Sequence, residues 1–254
     1  MRRTILVTGI VAAILPVGGP AVSAAAHGPA IVRHLGHGSA ASLNWSGYSA
    51  FASGTTFTDV KANWTAPSVT CPSGKAQYSS FWVGIDGYNS NSVEQTGTDS
   101  DCTGKNRASY YAWYEMYPAA SVQISGFTVH PGDSMSAEVA RSGSTYTLTI
   151  RNVTTGQSFT TSKSQGGLAN SSAEWVAEAP SLCRVSCQIQ PLANFGTVNF
   201  SGSFATGNGH TGSISDTAWT NDSITMVTNG GTVKAQPSAL SPDGTAFSVA
   251  WRHS

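Results

Sequence analysis

Charged residues are scarce in this 254-residue sequence: 13 are basic, 13 are acidic, and together they make up 10% of the chain. The even balance and the lack of Lys/Arg-rich runs exclude the electrostatic footprint of a nucleic-acid or anionic-membrane partner. The apolar share is 40%, so charge-driven disorder is excluded as well. We therefore expect one folded domain with a full core.

The sequence also lacks the motifs of several common enzyme classes: HExxH, GxSxG, the P-loop, and GxGxxG followed by a helix. His130, His210 and His253 lie beside turns or at the terminus, which disfavours a histidine-based triad or zinc site. Residues 99–104 begin like a calcium loop, but Tyr110 stands where that loop needs a glutamate. An acidic surface turn is the simpler interpretation.

The N-terminus has the order of a secretory signal peptide. Two arginines precede an apolar stretch at residues 5–15, and small residues follow at 21–26. We predict a signal peptide over residues 1–26, cleaved near Ala24 or Ala26, and hence a secreted, extracellular protein. No second segment is apolar enough to span a bilayer.

Residues 27–43 are low in pattern and contain three of the six histidines, His27, His34 and His37. This composition indicates a linker or a short pro-segment. Residues 44–254 are then the single folded domain, with 10 basic and 13 acidic residues. Such a charge-poor, weakly acidic chain is compatible with acid tolerance.

Four cysteines, an even number in an exported chain, predict disulfides. Cys183 and Cys187 are close enough in sequence to close a small loop, which would leave Cys71 to pair with Cys102, one of three possible connectivities. A zinc site is disfavoured, because the spacing lacks a paired CxxC and no histidine is near.

The pattern of the remaining chain is all-β. In residues 135–139 and 145–151, apolar and polar residues alternate with a period of two, as in strands with one buried face. Turn residues separate many such segments, and helical periodicity is almost absent. The predicted fold is an antiparallel two-sheet β-sandwich.

Three strand-like segments carry acids and aromatics where a polar, solvated face is expected. Alternation places these residues on one face of their strands: Tyr111, Trp113, Glu115 and Tyr117; Trp82 and Asp86; Glu174 and Glu178. Basic residues are scarce on these strands, which favours a substrate cleft with raised carboxyl pKa values. The alternative is a solvated outer sheet whose acids pair with Lys or Arg.

Eight motifs occur together in a specific order: NWSG at 44–47, VKANWTAP at 60–67, FWVGIDG at 81–87, QTG at 95–97, YAWYEMYP at 111–118, PGD at 131–133, TTGQ at 154–157 and AEWVAE at 173–178. In these residues the sequence resembles the glutamic peptidases (eqolisins), which are secreted, acid-acting endopeptidases with a concanavalin-like β-sandwich fold. The resemblance covers most of the chain after Asn44.

The resemblance implies a catalytic pair, Gln95 from the QTG element and Glu178 from the AExxxE element. An amide does not titrate, so Gln95 would stabilise the oxyanion while Glu178 acts as general base and then general acid. Residues implied to line or support the cleft are Trp82, Asp86, Glu115, Tyr117, Trp113 and Trp45. The resemblance further implies polypeptide substrates, a monomer, and no metal or organic cofactor.

Two positions depart from the family pattern. Tyr111 stands where an aspartate is expected before the AWYE element, which removes one carboxylate from the cleft and would displace the pH optimum. Glu94, directly before Gln95, stands where an apolar residue is expected. Neither departure removes a catalytic atom.

Two other function classes fit parts of the pattern. A Trp/Tyr face on a β-sandwich is typical of carbohydrate-binding modules, in which sugar rings stack on aromatic planes. Glu115 and Glu178 would alternatively be the paired carboxylates of a glycoside hydrolase. Neither alternative requires Gln95.

Overall fold

The computed structural model describes residues 25–36, 38–183 and 186–254, and its regular secondary structure is entirely β. Within these ranges there is no helix that is long and apolar enough to cross a membrane. The predicted signal peptide lies outside the described residues except for Ala25 and Ala26.

The strands, in chain order, are β1 (Ala25–Ala26), β2 (Val32–Gly36), β3 (Ser39–Ser42), β4 (Trp45–Phe51), β5 (Phe57–Thr65), β6 (Ser73–Gln77), β7 (Ser80–Ile85), β8 (Val93–Lys105), β9 (Ala108–Tyr117), β10 (Val122–Gln123), β11 (Ser134–Ser142), β12 (Thr145–Asn152), β13 (Gln157–Ser164), β14 (Ser172–Glu178), β15 (Ser181–Cys183), β16 (Cys187–Ile189), β17 (Thr197–Gly207), β18 (His210–Ser213), β19 (Thr220–Val227), β20 (Val233–Pro237) and β21 (Phe247–Trp251).

Hydrogen bonds between neighbouring strands connect most of the strands in one continuous order. Strands β10, β9, β8, β7, β14, β4 and β19 form a front sheet, and β20 leads from β19 to a back sheet of β21, β17, β5, β11, β12 and β13. These neighbours are all antiparallel. The predicted antiparallel two-sheet β-sandwich is therefore confirmed.

The main core lies between the two sheets. Phe81, Val83 and Ile85 of the front sheet belong to the same buried cluster as Leu148 and Ile150 of the back sheet. The predicted alternation at residues 135–139 and 145–151 is confirmed, because their apolar side chains are buried in β11 and β12. A second cluster, on the outer face of the front sheet, contains Trp45, Trp82, Val93, Trp113 and Val176.

The four cysteines form two disulfides. Cys71 is bonded to Cys102 and Cys183 to Cys187, so the structure selects one of the three connectivities that the sequence leaves open. The first joins the segment after β5 to β8. The second links β15 to β16 across a short hairpin.

The segment 27–43 contributes two strands to the sandwich, although its sequence is low in pattern. β2 pairs with β3, and β3 runs parallel to β19 at the edge of the front sheet. The preceding residues, 27–31, cross the outer face of that sheet and are named the strap below. The interpretation of 27–43 as a linker misses this pairing because the strands are short and carry few apolar residues.

Gly97 of the QTG motif allows Trp82 to pack against the neighbouring strand. A Cβ at Gly97 would lie 2.3 Å from the carbonyl oxygen of Phe81 and 2.5 Å from the Cβ of Trp82. Both contacts are far below normal van der Waals separation, and one involves backbone that cannot move without disturbing the sheet.

We expect Gly97→Ala to lower the free energy of unfolding by about 1–3 kcal/mol, the usual cost of overpacking a core. Gly166→Ala is the matched control, because nothing lies within 4 Å of a Cβ at that position. Urea denaturation of both variants measures the effect. Equal stability of the two variants would contradict the packing argument.

Candidate active site

The strand register places the predicted catalytic residues on one face of the front sheet. Gln95 lies opposite Gly84 on one side and Glu115 on the other. Gly84 in turn lies opposite Glu174, and Glu178 shares the face of Glu174 because side chains alternate along a strand. This face is the outer one, and its surface between β4 and β9 is named the cleft.

Glu178 ends β14 and is buried in the cleft. Its Oε2 accepts a hydrogen bond from Trp82 Nε1 at 2.9 Å, and its Oε1 lies 3.5 Å from the donor Asn44 Nδ2. Burial raises the pKa of Glu178 to about 8. The positive charge of His27 opposes this increase, and the negative charge of Glu115 adds to it. Beneath the strap, Glu178 is thus protonated at acidic and neutral pH.

Gln95 and Glu115 form the other side of the cleft. Gln95 Nε2 donates to Glu115 Oε2 at 3.3 Å and also to the backbone carbonyl of His27. Gln95 Oε1 and Glu115 Oε1 are buried without a hydrogen-bond partner among the described residues. The amide therefore presents its N–H group to a peptide carbonyl and retains an acceptor for a further donor, such as water.

A buried pair of aspartates lies beside this site, in β8. The Tyr111 hydroxyl lies 2.7 Å from Asp99 Oδ2 and 3.0 Å from Asp101 Oδ2, and Trp113 Nε1 donates to Asp99 Oδ1 at 2.6 Å. The surface-turn interpretation of residues 99–104 is wrong for these two aspartates. They are buried because aromatic donors on the adjacent strand satisfy them.

These contacts also explain the first departure from the family pattern. Burial and the charges of Asp99 and Asp101 raise the pKa of Tyr111, so its hydroxyl stays a neutral donor. Burial and the charge of Asp99 also raise the pKa of Asp101, which favours its protonated form. At the position where an aspartate is expected, Tyr111 thus places a hydroxyl between two other carboxyls.

The strap covers the cleft through hydrogen bonds along its length. Trp45 Nε1 donates to the carbonyl of Gly28 at 3.1 Å, and Asn44 Nδ2 donates to that of Pro29 at 3.1 Å. Ala30 N donates to the carbonyl of Gly87 at 3.1 Å. His27 is fully buried, and its ring stacks on Trp113 with centroids 3.7 Å apart.

The aromatic residues predicted for the cleft all lie there. Trp45 and Trp82 pack edge to face with ring centroids 4.8 Å apart. Trp113 contacts the strap through His27, and Tyr117 packs beside Gly28, where a Cβ would lie 3.4 Å from the tyrosine ring. The structure therefore brings Trp45, Trp82, Trp113 and Tyr117 together around the strap.

Asp86 has a different position from the other predicted site residues. It follows the end of β7 with a positive φ of 73° and is fully buried. Its carboxylate accepts hydrogen bonds from the backbone N–H groups of Asn170 at 2.6 Å and Ser171 at 2.8 Å. Asp86 therefore fixes the loop that leads into β14, the strand that carries Glu178.

Comparison with known proteins identifies the family. The model of the peptidase A4 family matches residues 43–249. The chain belongs to this family. Curated relatives are aspergillopepsin-2 of Aspergillus niger, 35% identical over 69% of this chain and 68% of its own, and scytalidopepsin B of Scytalidium lignicola, 35% identical over 68% and 67%.

The fold comparison agrees with this result. A crystal structure of scytalido-glutamic peptidase with a transition state analog inhibitor has a TM-score of 0.72 and 29% identity, covering 82% of this chain and 98% of that chain. The resemblance to the glutamic peptidases is thus confirmed, and this member of the peptidase A4 family is a protease that acts on polypeptides. The carbohydrate-binding and glycoside hydrolase alternatives are set aside.

Three residues of the cleft were missed by the sequence analysis. His27 lies outside the predicted domain, Asn44 belongs to a matched motif but has no predicted role, and Asp99 was assigned to a surface turn. An N-terminal histidine gives no local signal of its tertiary partners. The position of Asp99 could have been predicted from the sequence. Gln95, Gly97 and Asp99 are alternate residues of one strand, so Asp99 lies on the same face as Gln95.

Glu94, the second departure, points away from the cleft into the core. Burial raises its pKa to about 8, the charge of Asp86 adds to this increase, and Arg141 opposes it. The folded chain therefore holds a proton on Glu94 up to about pH 8, whereas an unfolded chain releases it near the ordinary pKa of 4.5. Between these values the folded state binds more protons, so stability falls as pH rises.

We expect Glu94→Gln to make the free energy of unfolding less dependent on pH between pH 5 and 8. The slope should become shallower by up to about 1.4 kcal/mol per pH unit, the effect of one proton. Denaturant unfolding at several pH values measures it. Asp243→Asn is the control, since hydrogen bonds from Ser241 and Thr245 lower the pKa of that exposed carboxyl and its titration ends below this window. An unchanged slope in Glu94→Gln would contradict the assignment.

Proposed function

We propose that the protein is a secreted, acid-acting endopeptidase in which Glu178 transfers the protons and Gln95 stabilises the tetrahedral intermediate. The observation that carries this proposal is the hydrogen bond from Gln95 Nε2 to a peptide carbonyl, that of His27, inside the cleft. A donor that already points at a peptide carbonyl is suited to the oxyanion that forms when the carbonyl is attacked.

Glu178 has the surroundings that its two roles require. As a carboxylate it takes a proton from the water that attacks the scissile carbonyl. As the resulting acid it gives that proton to the leaving nitrogen, so the peptide bond breaks and the proton count balances. The raised pKa favours the acid role, and Trp82 orients the carboxyl in both.

The base role requires water at Glu178. Under the strap the carboxyl is buried and protonated, and contact with water lowers the pKa of a buried acid because solvation favours the charged form. We therefore infer that the active state has the strap displaced by substrate, with the attacking water in contact with Glu178. Acidic working pH is an expectation from the family resemblance.

The remaining cleft residues receive supporting roles in this proposal. Glu115 orients the Gln95 amide, Asn44 bridges Glu178 and the backbone of the bound segment, and Asp86 positions β14. Trp45, Trp113 and Tyr117 line the space that a substrate occupies. Within the described residues no cluster of His, Cys, Asp or Glu has the arrangement of a metal site. Independence from cofactors and a monomeric state stay predictions.

We expect Glu178→Gln to lower kcat by about 100- to 10,000-fold, the usual contribution of a general acid–base group, and Gln95→Ala by about 100- to 1000-fold. Cleavage of an unfolded protein substrate across pH 2–7 measures both. Glu138→Gln is the matched control, because Glu138 lies on the back sheet and pairs with Lys61. Unchanged cleavage by folded Glu178→Gln, verified by its thermal midpoint, would refute the assignment.

Secretion is supported by the N-terminal leader sequence and by the two disulfides, which are typical of oxidising compartments. We expect protein collected from culture medium to lack residues 1–24 or 1–26, with residues 44–254 intact as one domain. Intact-mass measurement under non-reducing and reducing conditions determines the N-terminus and both disulfides. A full-length chain retained in the cells would contradict this prediction.

A further inference from the structure

The cleft contains a pocket that holds an imidazole ring beside Gln95. The ring of His27 lies parallel to the indole of Trp113, with an interplanar angle of 2° and centroids 3.7 Å apart. Its Nδ1 is 3.0 Å from Glu115 Oε2, and its Nε2 is 3.5 Å from Asp99 Oδ1. Both ring nitrogens therefore face a carboxyl oxygen.

This arrangement suits the protonated ring. Only imidazolium has an N–H on both nitrogens, and a cation is stabilised over the face of a tryptophan. Burial alone would lower the pKa of His27, but Asp99 and Glu115 outweigh it and hold the pKa well above its usual value. Two further acids lie near the ring. Asp101 is connected to Asp99 by the hydroxyl of Tyr111, and Glu178 lies on the other side of the cleft.

The backbone of His27 connects this pocket to the reaction. Its carbonyl accepts the hydrogen bond from Gln95, and its N–H donates to Glu115 Oε2 at 3.0 Å. The residue whose side chain fills the pocket is therefore the residue whose carbonyl faces the proposed oxyanion donor. His27 is bound as a substrate residue would be, although it belongs to the same chain.

We propose that Trp113, Asp99 and Glu115 form a specificity subsite for a histidine side chain, in its imidazolium form, on the substrate residue that supplies the scissile carbonyl. The proposal rests on the proposed function, since it takes Gln95 as the donor to that carbonyl. In the covered state His27 fills the subsite in cis, and a substrate must displace it.

Two peptides that differ only at the residue before the scissile bond test the subsite. One has histidine there and the other phenylalanine, which keeps an aromatic ring for stacking and lacks the charge. At pH 5, where the substrate histidine is protonated, we expect kcat/KM for the histidine peptide to be at least about tenfold higher. Competition from the strap affects both peptides equally, so this ratio does not depend on how readily the strap leaves.

Three variants of the secreted chain separate the contributions. Asp99→Asn should reduce the histidine preference to less than about threefold, because one of the two carboxyls that face the ring is lost. His27→Ala should raise kcat/KM for both peptides and keep the preference. His253→Ala is the matched histidine control and should behave as the unchanged enzyme, since that residue is exposed at the C-terminus.

The outcomes distinguish this proposal from the proposed function. Cleavage that depends on Glu178 but shows a ratio near one, or a ratio that survives in Asp99→Asn, overturns the subsite and leaves the catalytic pair intact. Unchanged kcat/KM in His27→Ala overturns the cis occupancy. Cleavage of neither peptide by the unchanged enzyme, or of both by Glu178→Gln, overturns the catalytic assignment and this proposal with it.

Discussion

The constraint on which this structure depends is the burial of several carboxyl groups on one face of a sheet without lysine or arginine partners. Among the described residues, the ion-pair partner of both Asp99 and Glu115 is His27, and Glu178 is held by Trp82 and Asn44. Burying an isolated carboxylate is costly, so such groups are hydrogen-bonded, paired or protonated. In the cleft, Glu178 accepts a hydrogen bond from Trp82, Glu115 is paired with His27, and burial favours the protonated form of Glu178.

The aromatic residues of the cleft are donors as much as apolar surface. The indole N–H groups of Trp82 and Trp113 and the hydroxyl of Tyr111 each reach a buried carboxyl. Trp82 packs against β8 because Gly97 offers no Cβ, which is a packing reason for a glycine two residues after Gln95. Three of the motifs therefore act together: one carries the carboxyl of Glu178, one carries Trp82, which donates to it, and one carries Gly97, which leaves room for Trp82.

The strap connects the architecture with catalysis. It is followed by β2 and β3, which extend the front sheet, and hydrogen bonds of Gly28, Pro29 and Ala30 hold it on the cleft. It lies across Gln95 and Glu178 and buries both side chains, and this burial favours the protonated form of Glu178. The N-terminal segment of the chain therefore occupies the cleft, and its backbone carbonyl at His27 accepts a hydrogen bond from Gln95.

The sequence by itself determined the two-sheet fold, the faces of most strands and the family, because side-chain alternation is local and the family motifs are contiguous. From the period of two it also placed Glu115 on the face of Trp113 and Glu178 on the face of Glu174. The same rule placed Asp86 on the face of Trp82, whereas its carboxylate binds the loop before β14. Only the tertiary structure decided that Asp86 supports a loop, that His27 enters the cleft, and that Asp99 faces its ring. These contacts join residues far apart in sequence, and their energy comes from desolvation and pairing that no local pattern encodes.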